Sequence, residues 1–99
     1  MAKMTKEHKI LLAEAYNELV NELKKEMDEI EDEINTLEKT RLKKMISNDL
    51  AFYMNEIQDQ EGYNKLAHET YTKTDELNKK LRKLQRKQYH LEQNKIKYE

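Results

Sequence analysis

The chain contains no cysteine, no proline and no tryptophan, and its one glycine is Gly62. Without cysteine there is neither a disulfide nor a thiolate metal site, so packing alone must hold the fold. Without proline, nothing interrupts a helix by removing an amide donor. One glycine excludes the glycine-rich loops that cradle phosphates. With one serine, Ser47, in a cap-like setting, and no cysteine, there is almost no choice of serine or cysteine nucleophile. Long apolar runs are missing too. The patch from Ile10 to Ala13 near the N-terminus is too brief for a secretory core or a membrane span. A soluble, cytoplasmic protein is the expectation, with no membrane among its partners.

What is present is charge. Of the 99 residues, 39% are charged and 36% apolar, and the net charge is only -1. Low hydrophobicity with abundant lysine and glutamate can mark a disordered chain. Near-zero net charge and regularly spaced apolar residues point instead to the long-helix and coiled-coil class. Lysine outnumbers arginine sixteen to three, with eight asparagines and six tyrosines. That bias is associated with AT-rich coding sequences, as in low-GC bacteria and their bacteriophages.

Two apolar ladders organise the chain. Thr5 followed by Glu7 suits a helix start, because a hydroxyl caps free amides and an acid favours the positive end of the helix dipole. Ala13, Val20, Met27 and Ile34 then occupy heptad position a, and Tyr16, Leu23, Ile30 and Leu37 position d. Continued, this register puts Arg41, Lys44, Asn48 and Asn55 on the seam, while apolar residues shift to Leu42, Ile46, Leu50, Tyr53 and Ile57. The shift predicts a stutter or a new short helix, and Ser47-Asn48-Asp49 offers cap chemistry for the latter. The second ladder has Ala67, Thr74, Leu81, Gln88 and Lys95 at a, with Tyr63, Thr70, Leu77, Leu84, Leu91 and Tyr98 at d. The threonine-rich stretch His68 to Thr74 has poor helix propensity, so fraying or a kink is expected there.

The fold expected is therefore all-α: an antiparallel helical hairpin or coiled coil forming a single domain over residues 1–99. Its parts are a helix over about 5–46, a short helix over about 49–58, a turn at 59–62 and a helix over about 63–97. The turn is placed at Gly62, because glycine takes the left-handed conformation that closes a helix. In an antiparallel pair the residue numbers of each layer share one sum. A mirror at residue 59 pairs Leu84 with Ile34, Leu91 with Met27, Tyr98 with Val20, Leu81 with Leu37 and Gln88 with Ile30, all at 118. Charge agrees with an antiparallel pairing. Residues 18–38 hold nine acids and two lysines, residues 77–99 eight bases and two acids. Glu33 is expected near Lys87, and Lys24 near Glu92.

Catalytic and metal chemistry is sparse. His8, His68 and His90 are far apart in sequence, and the acids Glu22, Glu26, Glu29 and Glu33 lie mostly off the seam. No catalytic residue, metal ligand or cofactor is expected. Three surfaces remain for function. Ile10, Leu11, Leu12 and Leu19 widen the apolar face beyond one partner helix and suggest self-association into a homodimeric helical bundle. Met45, Phe52, Tyr53, Met54, Tyr63, Leu66 and Tyr71 gather aromatic and methionine side chains of the kind enriched at protein interfaces. Lys79, Lys80, Arg82, Lys83, Arg86 and Lys87 form a cationic run, within a basic helix over 79–97, that could lie on phosphates. The reading these favour is a non-catalytic protein–protein interaction module, a small adaptor or inhibitor. A nucleic-acid-associated protein and a scaffolding component of an assembly are the alternatives.

Overall fold

A computed structural model describes residues 5–95. Two α-helices account for nearly all of them, α1 over Lys6–Tyr53 and α2 over Gln60–Gln93, and there is no strand among the described residues. The contacts divide the chain into two compact units, one of Met1–Glu29 with Leu81–Glu99, the other of Ile30–Lys80. In each unit a segment of α1 packs against a segment of α2.

The helix start matches its sequence signal. The His8 amide donates to Thr5 Oγ1 at 3.1 Å, a side-chain cap on the first turn. From there α1 runs unbroken for 48 residues, so no separate helix forms over 49–58 and no stutter develops. The reason lies in the seam. Arg41 and Lys44 are half-buried and Asn48 is buried, so the heptad positions keep facing α2 after they turn polar. The apolar residues Leu42, Ile46 and Leu50 are left exposed instead. Heptad phase overrides local hydrophobicity because polar partners wait on the other side.

The closing turn also lies elsewhere than at the glycine. Asn55 is the residue with a left-handed backbone, at φ 56°, a conformation asparagine tolerates better than most. The Glu56 amide bonds the Ala51 carbonyl at 2.8 Å and the Asn55 amide bonds Phe52 at 3.3 Å. This paired pattern is a Schellman motif ending α1. Gly62 has no positive φ; it sits in the first turn of α2, where its amide donates to Asp59 Oδ1 at 2.9 Å. Asp59 is thus the cap of α2. A side chain at position 62 would run into that carboxylate, with Asp59 Cγ 2.7 Å from a Cβ placed there.

Moving the turn moves the register. In the expected pairing Asn48 would face Thr70. Its amide instead holds Asp59, and the Tyr16 hydroxyl donates to the Leu91 carbonyl at 3.1 Å. Both pairs sum to 107 rather than 118, and Arg41 with Tyr63 sums to 104. The assignment of heptad positions nevertheless agrees with burial. Leu23, Met27, Leu77 and Leu84 form the buried apolar core, and every described a or d position assigned above except Asn55 and Lys95 is buried or half-buried.

Of the fraying or kink expected over His68 to Thr74, fraying does not occur, since α2 is continuous there. Thr70 is 2% exposed, the most deeply buried side chain described. Seam packing outweighs its weak propensity. Thr72 returns its hydroxyl to the His68 carbonyl at 3.0 Å, within the helix. The second helix, expected to reach about residue 97, ends at Gln93, and Tyr98 lies outside the described residues.

Asn48 joins the two sides of the turn in both directions. Its Nδ2 donates to the Asp59 carbonyl at 3.1 Å, its Oδ1 accepts from the Asp59 amide at 3.0 Å, and its own carbonyl accepts from Gln58 Nε2 at 2.9 Å. Replacing Asn48 with alanine leaves the Asp59 amide without this acceptor, at a cost of about 1–3 kcal/mol. Urea unfolding of Asn48→Ala should show that loss, whereas Asp49→Ala, exposed on the next residue, should change stability by less than about 0.5 kcal/mol. Equal midpoints for the two variants would show that the clamp does not hold the turn.

Candidate protein-docking surfaces

In the unit of residues 30–80, polar side chains occupy the seam. The Arg41 guanidinium pairs with Glu38, donates to the Tyr63 hydroxyl at 2.8 Å and lies 5.7 Å from the centre of the Tyr71 ring, within cation–π range. Lys44 Nζ reaches Asp59 Oδ2 at 2.9 Å. These contacts bias protonation. The Lys44 hydrogen bond, then the Gly62 amide, hold the Asp59 carboxyl below its ordinary value of 3.8. The Arg41 hydrogen bond lowers Glu38 in the same way, and Arg41 is raised first by Glu38 and then by Tyr63.

Because polar groups fill the seam, the apolar residues of this stretch of α1 face outward. Leu42, Ile46 and Leu50 recur at four-residue intervals, so they form one ridge of the helix. Ile46 and Leu50 are each 60% exposed and Tyr53 78%. Phe52 and Tyr53 meet edge to face at 5.6 Å, and both line a surface hollow of about 510 Å³ with Asn55, Glu56 and Gln58. Ile57 in the connection is 97% exposed. A ridge of this kind, continued by aromatic residues, is an exposed apolar patch of the sort that marks an interaction site.

Of the partner-site candidates read from sequence, Met45, Phe52, Tyr53, Met54 and Tyr71 are exposed. Tyr63 and Leu66 are half-buried, and the Tyr63 hydroxyl is already engaged by Arg41. Leu42, Ile46, Leu50 and Ile57 were not among those candidates, although the phase shift that places them off the seam was visible. They read as core only if the seam is assumed to follow the apolar residues.

The other unit carries the N-terminal surplus. Ile10, Leu11 and Leu19 are exposed and Leu12 is half-buried. Leu12, Ala15, Tyr16, Leu19 and Leu91 line a hollow of about 210 Å³. Through the shared Leu19 and Leu91 it continues into a groove of about 630 Å³, bordered by Leu23 and by Lys83, Arg86, Lys87, His90 and Asn94. In the cationic run, Lys79 pairs with Asp75 at 3.3 Å. Lys80, Arg82, Lys83, Arg86 and Lys87 hold no acid among the described residues. Nor do Glu18, Glu22, Glu26, Glu29 and Glu33 hold a base among the described residues, and neither Glu33 with Lys87 nor Lys24 with Glu92, expected near each other, forms an ion pair. The change of register removes the alignment on which they depended.

No group of three or more histidine and carboxylate residues among the described residues could hold a metal ion. No described helix is long and apolar enough to cross a membrane. Comparison with protein-family models, curated proteins and solved structures found no match for this chain.

The lowered Asp59 pKa sets the acid response of the turn. A carboxyl whose folded pKa is depressed contributes stability that is complete above its unfolded value, here 3.8, and is lost as pH falls through the folded one. Thermal melts of the wild type should therefore hold level from pH 6 to about 5 and then decline below 4. In Asp59→Asn that part of the decline should disappear. Parallel pH profiles for both proteins would remove Asp59 from the account of acid unfolding.

Proposed function

We propose that this chain is a non-catalytic protein–protein interaction module, a small helical adaptor or inhibitor that acts in the cytoplasm. It associates with a second copy through the face of Ile10, Leu11, Leu12 and Leu19. Through the ridge on α1 it docks on a larger protein. The observation that carries this reading is the exposed ridge of Leu42, Ile46 and Leu50 beside Tyr53, on a stretch of α1 whose inward positions, Arg41, Lys44 and Asn48, are polar and already bonded. Side chains at i, i+4 and i+8 suit insertion of one helix face into an apolar groove on a partner. Anchors of leucine, isoleucine and tyrosine gain from desolvation, so such docking depends weakly on salt.

The test compares capture by the wild type with capture by Ile46→Ser/Leu50→Ser. Both residues are exposed, so the variant should melt within a few degrees of the wild type while losing the proteins retained on the wild-type chain at 0.1 M and 0.5 M salt alike. Equal capture by both chains would remove the ridge as the docking surface.

A specific observation also favours a second reading. The unpaired cations Lys80, Arg82, Lys83, Arg86 and Lys87 on α2 match the charge pattern of phosphate contacts. Under that reading, binding to duplex or single-stranded nucleic acid falls steeply between 50 mM and 200 mM salt and is abolished by neutralising Arg82, Lys83, Arg86 and Lys87. Under the first reading neither change affects docking.

A further inference from the structure

The groove in the unit of residues 1–29 and 81–99 is lined by apolar residues of both helices and by bases of α2, and helical spacing sets two acids of α1 beside it. Its floor is apolar, with Leu19 and Leu23 from α1 and Leu91 from α2, and its basic wall is Lys83, Arg86 and Lys87. Glu22 and Glu26 each follow a floor leucine by three residues, so they stand on the same side of α1 and edge the groove from there. Both are exposed, and neither these acids nor Lys83, Arg86 and Lys87 hold an ion pair among the described residues. An apolar floor between an unpaired acidic edge and an unpaired basic edge complements itself.

We infer that the occupant of this groove is the same groove of a second copy, turned about a two-fold axis parallel to the helices. This rests on the self-association reading above and specifies its geometry. The charges select the axis. An axis parallel to the helices exchanges the sides of the face, laying the acidic edge of each copy on the basic edge of the other. An axis lying in the face but across the helices would set acid on acid and base on base. Such an interface is isologous and closes at two subunits. The four helical segments then alternate acidic and basic around a bundle, and the floor leucines of both copies become its core.

The intrachain register sets the approximate heights. The Tyr16 hydroxyl reaches the Leu91 carbonyl, so in an antiparallel pair Glu22 and Glu26 stand within about one helical turn of Lys87 and Lys83. Rotation about an axis parallel to the helices preserves height. Glu22 therefore meets Lys87 of the second copy, and Glu26 meets its Lys83.

Charge reversal tests the arrangement through mixing. Glu22→Lys/Glu26→Lys makes both walls basic, and Lys83→Glu/Lys87→Glu makes both acidic, so each variant alone should dimerise about 10- to 100-fold more weakly than the wild type. Mixed in equal amounts, the two variants restore opposite charges at both contacts. Sedimentation and native mass spectrometry should then show a heterodimer near wild-type affinity, with helicity unchanged by circular dichroism. If either variant loses helicity, Glu22→Gln/Glu26→Gln and Lys83→Gln/Lys87→Gln take their place, each weakening the dimer about several-fold. A wild-type chain that stays monomeric at high concentration overturns both the self-association and this geometry. A wild-type dimer that neither reversal weakens, or a mixture that gains nothing over its components, overturns the geometry alone.

Discussion

The two-way hydrogen bonding between the Asn48 side chain and the Asp59 backbone is the constraint on which the rest of the arrangement depends. A buried amide that both donates to and accepts from one backbone position fixes that position in distance and orientation. Asp59 is in turn the cap of α2, so fixing it sets where the second helix starts and what it faces. Leaving the Asn48 amide unmatched would strand a buried polar group, at a cost above the value of an exposed contact. The same logic appears where a single buried asparagine specifies the register of a coiled coil.

From that clamp follows the division of labour along α1. Between Arg41 and Asn48 the inward positions are polar and bonded to α2 or to the connection. The outward ridge of Leu42, Ile46 and Leu50 is therefore not needed for the local fold. Ordinary amphipathic helices bury their apolar face and expose the polar one. This stretch does the reverse, and the reversal separates the residues that set geometry from those available to another protein. Apolar side chains held on a turn braced by polar contacts lose little further freedom on docking, which limits the entropic cost of association.

Much of the fold was legible in the sequence, because heptad spacing survives as burial. Ala13 to Ile34 and Tyr63 to Leu91 lie where periodicity assigns them, and the absence of proline leaves the helices uninterrupted. The turn was misplaced for an identifiable reason. Glycine is the stronger left-handed signal, but Asn55 has the same capacity, and Gly62 meets a different need, room for the Asp59 carboxylate. A cap followed three residues later by a glycine therefore signals a helix start as well as a helix end. The exposed apolar ridge is hidden by the assumption that apolar residues mark the seam. Asn48, Lys44 and Arg41 fit the uninterrupted heptad, and giving phase priority over hydrophobicity would have exposed Leu42, Ile46 and Leu50 at once.

Charge segregation follows the same separation of tasks. Glu18, Glu22 and Glu26 are like charges one turn apart, an arrangement that weakens an isolated helix slightly, and Lys80, Lys83 and Lys87 repeat it on α2 with the opposite sign. Interspersing the two signs along each helix would relieve both strains and give the same net charge. Pairing across the hairpin would also relieve them, yet these residues hold no ion pair among the described residues. Segregation without intrachain pairing costs stability in the lone chain and is recovered only where an acidic edge meets a basic one from outside. A second copy supplies both edges at once.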